Sequence, residues 1–298
     1  MIMHKDIIRT RFKNALGVLW IIAGLLEFQP HLFTAQFITA VVDPTKIAQP
    51  DFILAPINFF SGLFLLHTAI FNLAIALGQL GIGIMILVKK TQKVGLGFSV
   101  IWGLFVWYIG EGMGGIFSQH ASLLTGFPGA AIIYVVIALA TWPTKSAGLS
   151  KLFDGSVVYT WLLVWAGGAL LNLETSPVSS HALGHILKSS ANNLPGLLGS
   201  PITHLGSFVM AQGNWLFWSL IGVEALIGFA IFLPSWLKKP LLYMSLCLLI
   251  VFWIAGQNMG GLFSGTATDL NCAPALFLLG LMVIFSPSLK IDLFGEKV

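Results

Sequence analysis

The sequence predicts an all-α integral membrane protein of about eight transmembrane helices, arranged as two parallel four-helix repeats, and three observations carry that prediction. The chain is 57% hydrophobic and 9% charged over 298 residues, whereas soluble domains carry about a quarter charged residues. Eight apolar stretches approach the roughly 20 residues that cross a bilayer as a helix. The second half of the chain also repeats the pattern of the first.

The apolar stretches lie at roughly 14–29, 68–88, 94–112, 127–143, 156–173, 214–233, 240–257 and 272–288. The N-terminal MIMHKDIIRTRFK is basic, and the run after it continues into a full span without a small-residue cleavage site, so it reads as a retained helix. With the N-terminus inside, Lys5, Arg9, Arg11, Lys13, Lys89, Lys90, Lys93, Lys145, Lys151, Lys238, Lys239, Lys290 and Lys297 share one side, and only Lys46 and Lys188 fall on the other. Cytoplasmic loops carry such an excess. The expectation is a multi-pass protein of the cell membrane with both termini cytoplasmic. The net charge of +4 reflects that orientation and implies no nucleic-acid partner. Cys247 and Cys272 fall at different depths, form no redox pair, and are expected to be small buried side chains.

The repeat is clearest where WYIGEGMGGIFS, 107–118, aligns with WIAGQNMGGLFS, 253–264, at an offset of 146 with seven identities in twelve positions. The same offset pairs Pro128 with Pro274, which extends the match ungapped into the next helix. Upstream, at an offset of 145, Trp20-IIAGLLEF aligns with Trp165-AGGALLNL, and LGQLGIG with GVEALIG. The units are 1–147 and 148–298, joined through WPTKSAGLSK, 142–151. Four spans per unit is an even number, so both copies enter from the same side. Each copy has a long outer loop, 30–56 and 174–213. Apolar patches there suggest short interfacial helices, with a re-entrant turn near Pro56.

Ionisable groups inside spans are costly and normally face the bundle interior. Glu27 and Glu111 fall in the outer part of their spans and Glu224 within the sixth. The alignment matches Glu27 with Asn172, Gln79 with Glu224, and Glu111 with Gln257, so every carboxylate has an amide in the other copy. This pattern suits a polar chamber in the outer half of the membrane, with Glu27 and Glu111 as catalytic, proton-handling members. Gln257, Asn258, Gln79, Glu224 and Asn172 would be its ligand-binding amides and acid, and Trp107, Phe117 and Trp253 its aromatic walls. The blander reading is that the same polar groups tie helices together.

Gly110 and Gly114, like Gly256 and Gly260, form small-xxx-small pairs that permit close helix approach, while Gly115 and Gly261 let the chain leave the helix with positive φ. A phosphate-binding loop is excluded, since an apolar helix and not a strand precedes the run. His31, His67, His120, His181, His185 and His204 map to the outer side. His181 and His185 have i, i+4 spacing, and Met113 and Met259 are conceivable soft ligands, but no third ligand stands at a diagnostic spacing and no metal site is assigned. Trp20, Trp102, Trp107, Trp165, Trp215 and Trp253 suit packing and interfacial belts.

The four-helix unit, with WxxxGLLE at 20–27 and a polar glycine end to its third span, resembles the DoxX/DoxD superfamily, and the chain resembles two such units fused. The resemblance implies a membrane subunit of a quinone-linked oxidoreductase, as in the small subunit of thiosulfate:quinone oxidoreductase. Quinone would be its bound substrate, and a soluble or membrane oxidoreductase subunit its partner within the lipid bilayer. No flavin, haem or iron–sulfur signature stands in the sequence, so the electron donor would be a substrate or another subunit. A proton-coupled transporter or binding protein, and a non-catalytic scaffold, remain the alternatives.

Overall fold

The computed structural model describes residues 2–118, 121–144, 146–174 and 180–285. His120, Lys145, Lys290 and Lys297 of the sequence analysis, part of the second outer loop, and the end of the 272–288 stretch lie outside them. All regular structure among the described residues is helical: α1 (Ile2–Leu26), α2 (Asp51–Leu66), α3 (Thr68–Leu87), α4 (Gln92–Phe105), α5 (Ala130–Ala140), α6 (Ala147–Glu174), α7 (Ser180–Ala191), α8 (Gly196–Ala211), α9 (Trp215–Phe229), α10 (Ser235–Ala255) and α11 (Cys272–Phe285). Five segments are long and apolar enough to cross a membrane: Thr68–Leu87, Gln92–Gly110, Gly155–Leu173, Trp215–Phe232 and Ser235–Ala255. Their outward faces, with Ile70, Ile101 and Leu163 each more than 60% exposed, are those of a protein in lipid.

The first helix of each half packs on the helix that follows its outer segment, α1 on α3 and α6 on α9. Small residues permit it. A Cβ on Gly83 would lie 2.6 Å from the Gly17 carbonyl oxygen, and one on Gly228 would lie 2.8 Å from the Ala166 nitrogen. At the centre α5 packs on α11, while α5 also touches α6 and α11 touches α1. The main apolar core therefore runs through both halves, from Trp20 and Tyr134 to Trp161, Trp165 and Leu276. Trp20 donates to Ser99 Oγ at 2.8 Å and meets the Tyr134 ring edge-on at 5.0 Å.

The stretch 127–143 is shorter as a helix than its hydropathy suggests, since α5 has 11 residues. Pro128 stays outside it, and Trp142 precedes Pro143, a position that disfavours helix. The ungapped pairing of Pro128 with Pro274 does not hold in space, because Pro274 lies inside α11, which starts at Cys272. The helices begin at residues 142 apart, so the linking loop of the second half is four residues shorter than the offset of 146 requires. Cys272 is buried as expected, but Cys247 is exposed on α10, on a face without protein cover.

The outer segments are more regular than their composition suggests. α2 runs unbroken through Pro56, so no re-entrant turn forms there. α8 runs likewise through Pro201, and the two helices have 16 residues each. PDFILAP, 50–56, and PGLLGSP, 195–201, stand at the same offset of 145 as the flanking helices, a match the sequence reading missed. α7 has no helical counterpart of its length; residues 30–46 of the first half form short 3₁₀ and π turns instead.

Candidate ligand-binding site

The glycine elements set the site. After α4 a π turn, Val106–Gly110, ends with the Glu111 N–H donating to the Val106 carbonyl at 2.9 Å, and Gln257 N–H donates to Phe252 O at 2.8 Å in the second half. Four successive residues then take positive φ in each copy: Gly112, Met113, Gly114 and Gly115 at +52°, +56°, +66° and +73°, and Asn258, Met259, Gly260 and Gly261 at +51°, +51°, +71° and +69°. This is a left-handed turn, a conformation L-residues normally visit singly. Gly114 is required twice over, since a Cβ there would also fall 1.9 Å from the Pro128 carbonyl oxygen. Gly110, by contrast, has no close neighbour beyond Val106 at 3.5 Å, whereas a Cβ on Gly256 would meet Leu124 O at 2.2 Å. Of the two small-xxx-small pairs, Gly114, Gly256 and Gly260 thus stand at a close approach and Gly110 does not.

The tryptophans of the motif fasten this turn to the next helix. Trp107 Nε1 donates to Pro128 O and Trp253 Nε1 to Leu270 O, each at 2.8 Å. Both indoles hold backbone and neither lines the main cavity. Phe117 packs edge-on against Phe52 at 5.3 Å and is likewise outside the cavity wall.

Glu111 then meets the start of α5. Its Oε1 accepts from the N–H groups of Ala130 at 3.0 Å and Ala131 at 3.1 Å, and Oε2 accepts from Ala131 at 3.3 Å. A carboxylate there satisfies orphan donors and complements the helix dipole. Gln257 does the same with an amide: Oε1 accepts from Ala273 N–H at 2.8 Å, and Nε2 donates to Leu123 O at 3.0 Å.

The other acids pair within their own halves. Gln79 Nε2 lies 3.5 Å from Glu27 Oε1, and Asn172 Nδ2 donates to Glu224 Oε2 at 2.8 Å. Each half thus buries one carboxyl against one amide, with the two positions exchanged between halves. All four side chains are at most 5% exposed.

A cavity of about 1130 Å³ occupies the first half, lined by residues of α1–α5 and the first outer loop. Glu27, Gln79 and Glu111 line it together. Glu224, Asn172, Gln257, Asn258 and Trp253 do not. Its aromatic wall includes Trp20, Trp102, Phe37, Phe64 and Phe105, but neither Trp107 nor Phe117. A further acid, Asp269, enters from the second half and interacts electrostatically with both Glu27 and Glu111. Its loop is drawn there by Gln29 Nε2, which donates to Leu26 O at 3.0 Å and to Ala267 O at 2.7 Å. Burial in the chamber wall pushes the Asp269 carboxyl above the ordinary carboxylate range, opposed by the N–H of Asn271. No basic side chain lines this cavity among the described residues.

Away from the acids the wall becomes apolar and meets the outer surface of the bundle. Leu63, Leu77 and Phe98, on α2, α3 and α4, line the cavity and are also 40%, 55% and 50% exposed. A Cβ added at Gly78 or Gly81 would meet nothing within 4 Å, so α3 is uncovered at these two cavity-lining glycines. In the wall, Glu27 Oε2, Gln79 Oε1, Gln49 Oε1 and Trp102 Nε1 are buried without a hydrogen-bond partner in the protein. Buried polar atoms are normally satisfied, so this set offers acceptors and one donor to a polar headgroup.

His181 and His185 lie exposed on α7. No group of three metal-ligating side chains is formed among the described residues. No protein-family model, curated protein or solved structure matches the chain.

Proposed function

We propose that the chain is a polytopic DoxX/DoxD-like protein of the cell membrane that binds a quinone in the first-half chamber, as the membrane subunit of a quinone-linked oxidoreductase. In this reading eight helices cross the bilayer as two parallel units, 1–147 and 148–298, with both termini cytoplasmic and α2 and α8 added on the outer side. The carrying observation is one cavity whose lining runs from exposed apolar side chains, Leu63, Leu77 and Phe98, to Glu27, Glu111 and Asp269. An isoprenoid-tailed molecule needs such a lateral route, an apolar slot, and polar partners at its depth. Trp102 Nε1 would serve one carbonyl, and Glu27 would exchange a proton with the headgroup; Trp102 Nε1 and Glu27 Oε2 are buried without a protein partner. Glu111 serves as a positioning residue, since its oxygens already hold α5. Electrons would come from a substrate or from a partner subunit.

Mass spectrometry of small molecules retained by the purified protein tests this. Wild type and Glu224→Gln should retain a quinone, Glu27→Gln should retain at least about tenfold less, the worth of one lost polar contact of ~1.4 kcal/mol, and Gly78→Phe, which narrows the mouth without touching an acid, should retain little. No quinone in wild type would sink the proposal. Proton-dependent solute uptake in vesicles without any bound quinone would move the assignment to the transporter reading, which draws on the same three carboxyls.

A further inference from the structure

A second cavity, of about 730 Å³, lies at the opposite end of α5. It sits between the start of α1, the start of α4, the segment after α5, and α6. Arg9, Lys13 and Lys93 contribute cations to its wall, and among the described residues no carboxylate lines it. The chemistry is the reverse of that in the outer chamber.

Lys13 is the unusual member. It is 6% exposed, and its ammonium donates to Ile86 O at 3.0 Å and to Gln92 Oε1 at 2.9 Å. Both acceptors are neutral. An ammonium has three donors, so one remains, and a buried cation without a counter-charge is costly. Trp142 stands in the same wall, an amphipathic ring of the kind that sits at headgroup level. This end of the molecule carries the Lys and Arg excess, and basic pockets between helices on the cytoplasmic side suit anionic headgroups.

We propose that this pocket binds a phosphate-bearing headgroup, with Lys13 as its buried anchor and Lys93 at its rim. The proposal is independent of quinone binding in the outer chamber. The phosphate belongs to an anionic lipid of the adjoining leaflet or to a free anion, and the two sources separate in the test. Thermal unfolding of the full chain in neutral detergent is followed while phosphatidylglycerol, phosphatidylcholine or inorganic phosphate is added.

Phosphatidylglycerol should raise Tm saturably and phosphatidylcholine should not. The shift should vanish in Lys13→Gln, and its half-saturation should rise about fivefold in Lys93→Gln, the worth of one lysine near a membrane surface. An equal shift with inorganic phosphate assigns the site to the free anion and supports the pocket. Equal responses to phosphatidylglycerol and phosphatidylcholine with none to phosphate, or wild-type responses in both variants, overturn it. Lys93 is exposed, so its variant decides the matter even if Lys13→Gln fails to fold.

Discussion

The two halves share a left-handed glycine turn and, α7 apart, their order of helices, and among the described residues the large chamber lies in the first. In the second half α7 packs against α9 and α10, and the Ser190 hydroxyl is tied to the Ala255 carbonyl. Leu187 and Ala191 join the main core, as do Ile202 and Val209 of α8. Gly184 and Gly206 allow α7 and α8 to close on each other, since a Cβ on Gly184 would lie 2.6 Å from Gly206 O. The first half has only short turns over the corresponding stretch, and a space remains beneath them. Shared framework and local filling are therefore separable: the same helices become a site or a packed core according to what the outer loop contributes.

Exchanging features between the halves tests that separation. The largest effect is expected for Gly114→Ala, about 3 kcal/mol of lost stability in denaturant unfolding, because positive φ and the Pro128 carbonyl both oppose a side chain. Gly260→Ala should cost less, roughly 2 kcal/mol, since the strain of positive φ is of the same size but a Cβ there would overlap backbone less severely, with Leu270 C at 2.7 Å. Equal costs would remove the distinction between the turns.

Next come the helix caps. Glu111→Ala should lose about 1–2 kcal/mol, and Gln257→Ala about 1 kcal/mol. Glu111→Gln should stay within about 0.5 kcal/mol of wild type, because Gln257 already performs the task with an amide. A large loss in Glu111→Gln would show that the charge itself holds α5. A smaller effect belongs to pH. The native carboxyl of Asp269 keeps its proton to higher pH than an unfolded one, so its contribution to stability is full at low pH and is lost as pH rises through the raised native pKa. Asp269→Asn should flatten that decline in a series of unfolding curves, and an unchanged slope would place Asp269 in ordinary solvent. Least of all, Asn258→Gly should change stability by under about 0.5 kcal/mol, since Gly112 holds the same place and Asn tolerates positive φ.

Much of this was legible in the residues. Hydropathy located every long apolar helix, and the frame WxxGxxMGGxFS located both turns. The Glu/amide alternation pointed to Glu27, Gln79 and Glu111, which meet in the chamber. It did not reveal that Glu27 pairs with Gln79, and Glu224 with Asn172, because an alignment reports correspondence between copies and not contact within one. Asp269 was missed because an acid in an outer loop reads as solvated. Its one signal was a carboxylate where the offset of 146 places Leu123. The apolar patch of α2 announced an outer helix, but its unbroken run through Pro56, and that of α8 through Pro201, were masked by prolines that ordinarily end helices, although the recurrence of Pro50 and Pro56 as Pro195 and Pro201 marked them.

The shortness of α5 has an electrical consequence. Eleven residues span about 16 Å at 1.5 Å per residue, against a hydrocarbon thickness of about 30 Å. One cavity reaches Glu111 at its first turn, and the other reaches Thr141 and Trp142 at its last. If α5 crosses the bilayer as in the eight-span proposal and both cavities admit water, a transmembrane voltage would fall mainly across this thin septum and not across the full bilayer. The field there would be about twice as steep, and a proton crossing α5 would traverse most of a potential worth about 2.3 kcal/mol per 100 mV.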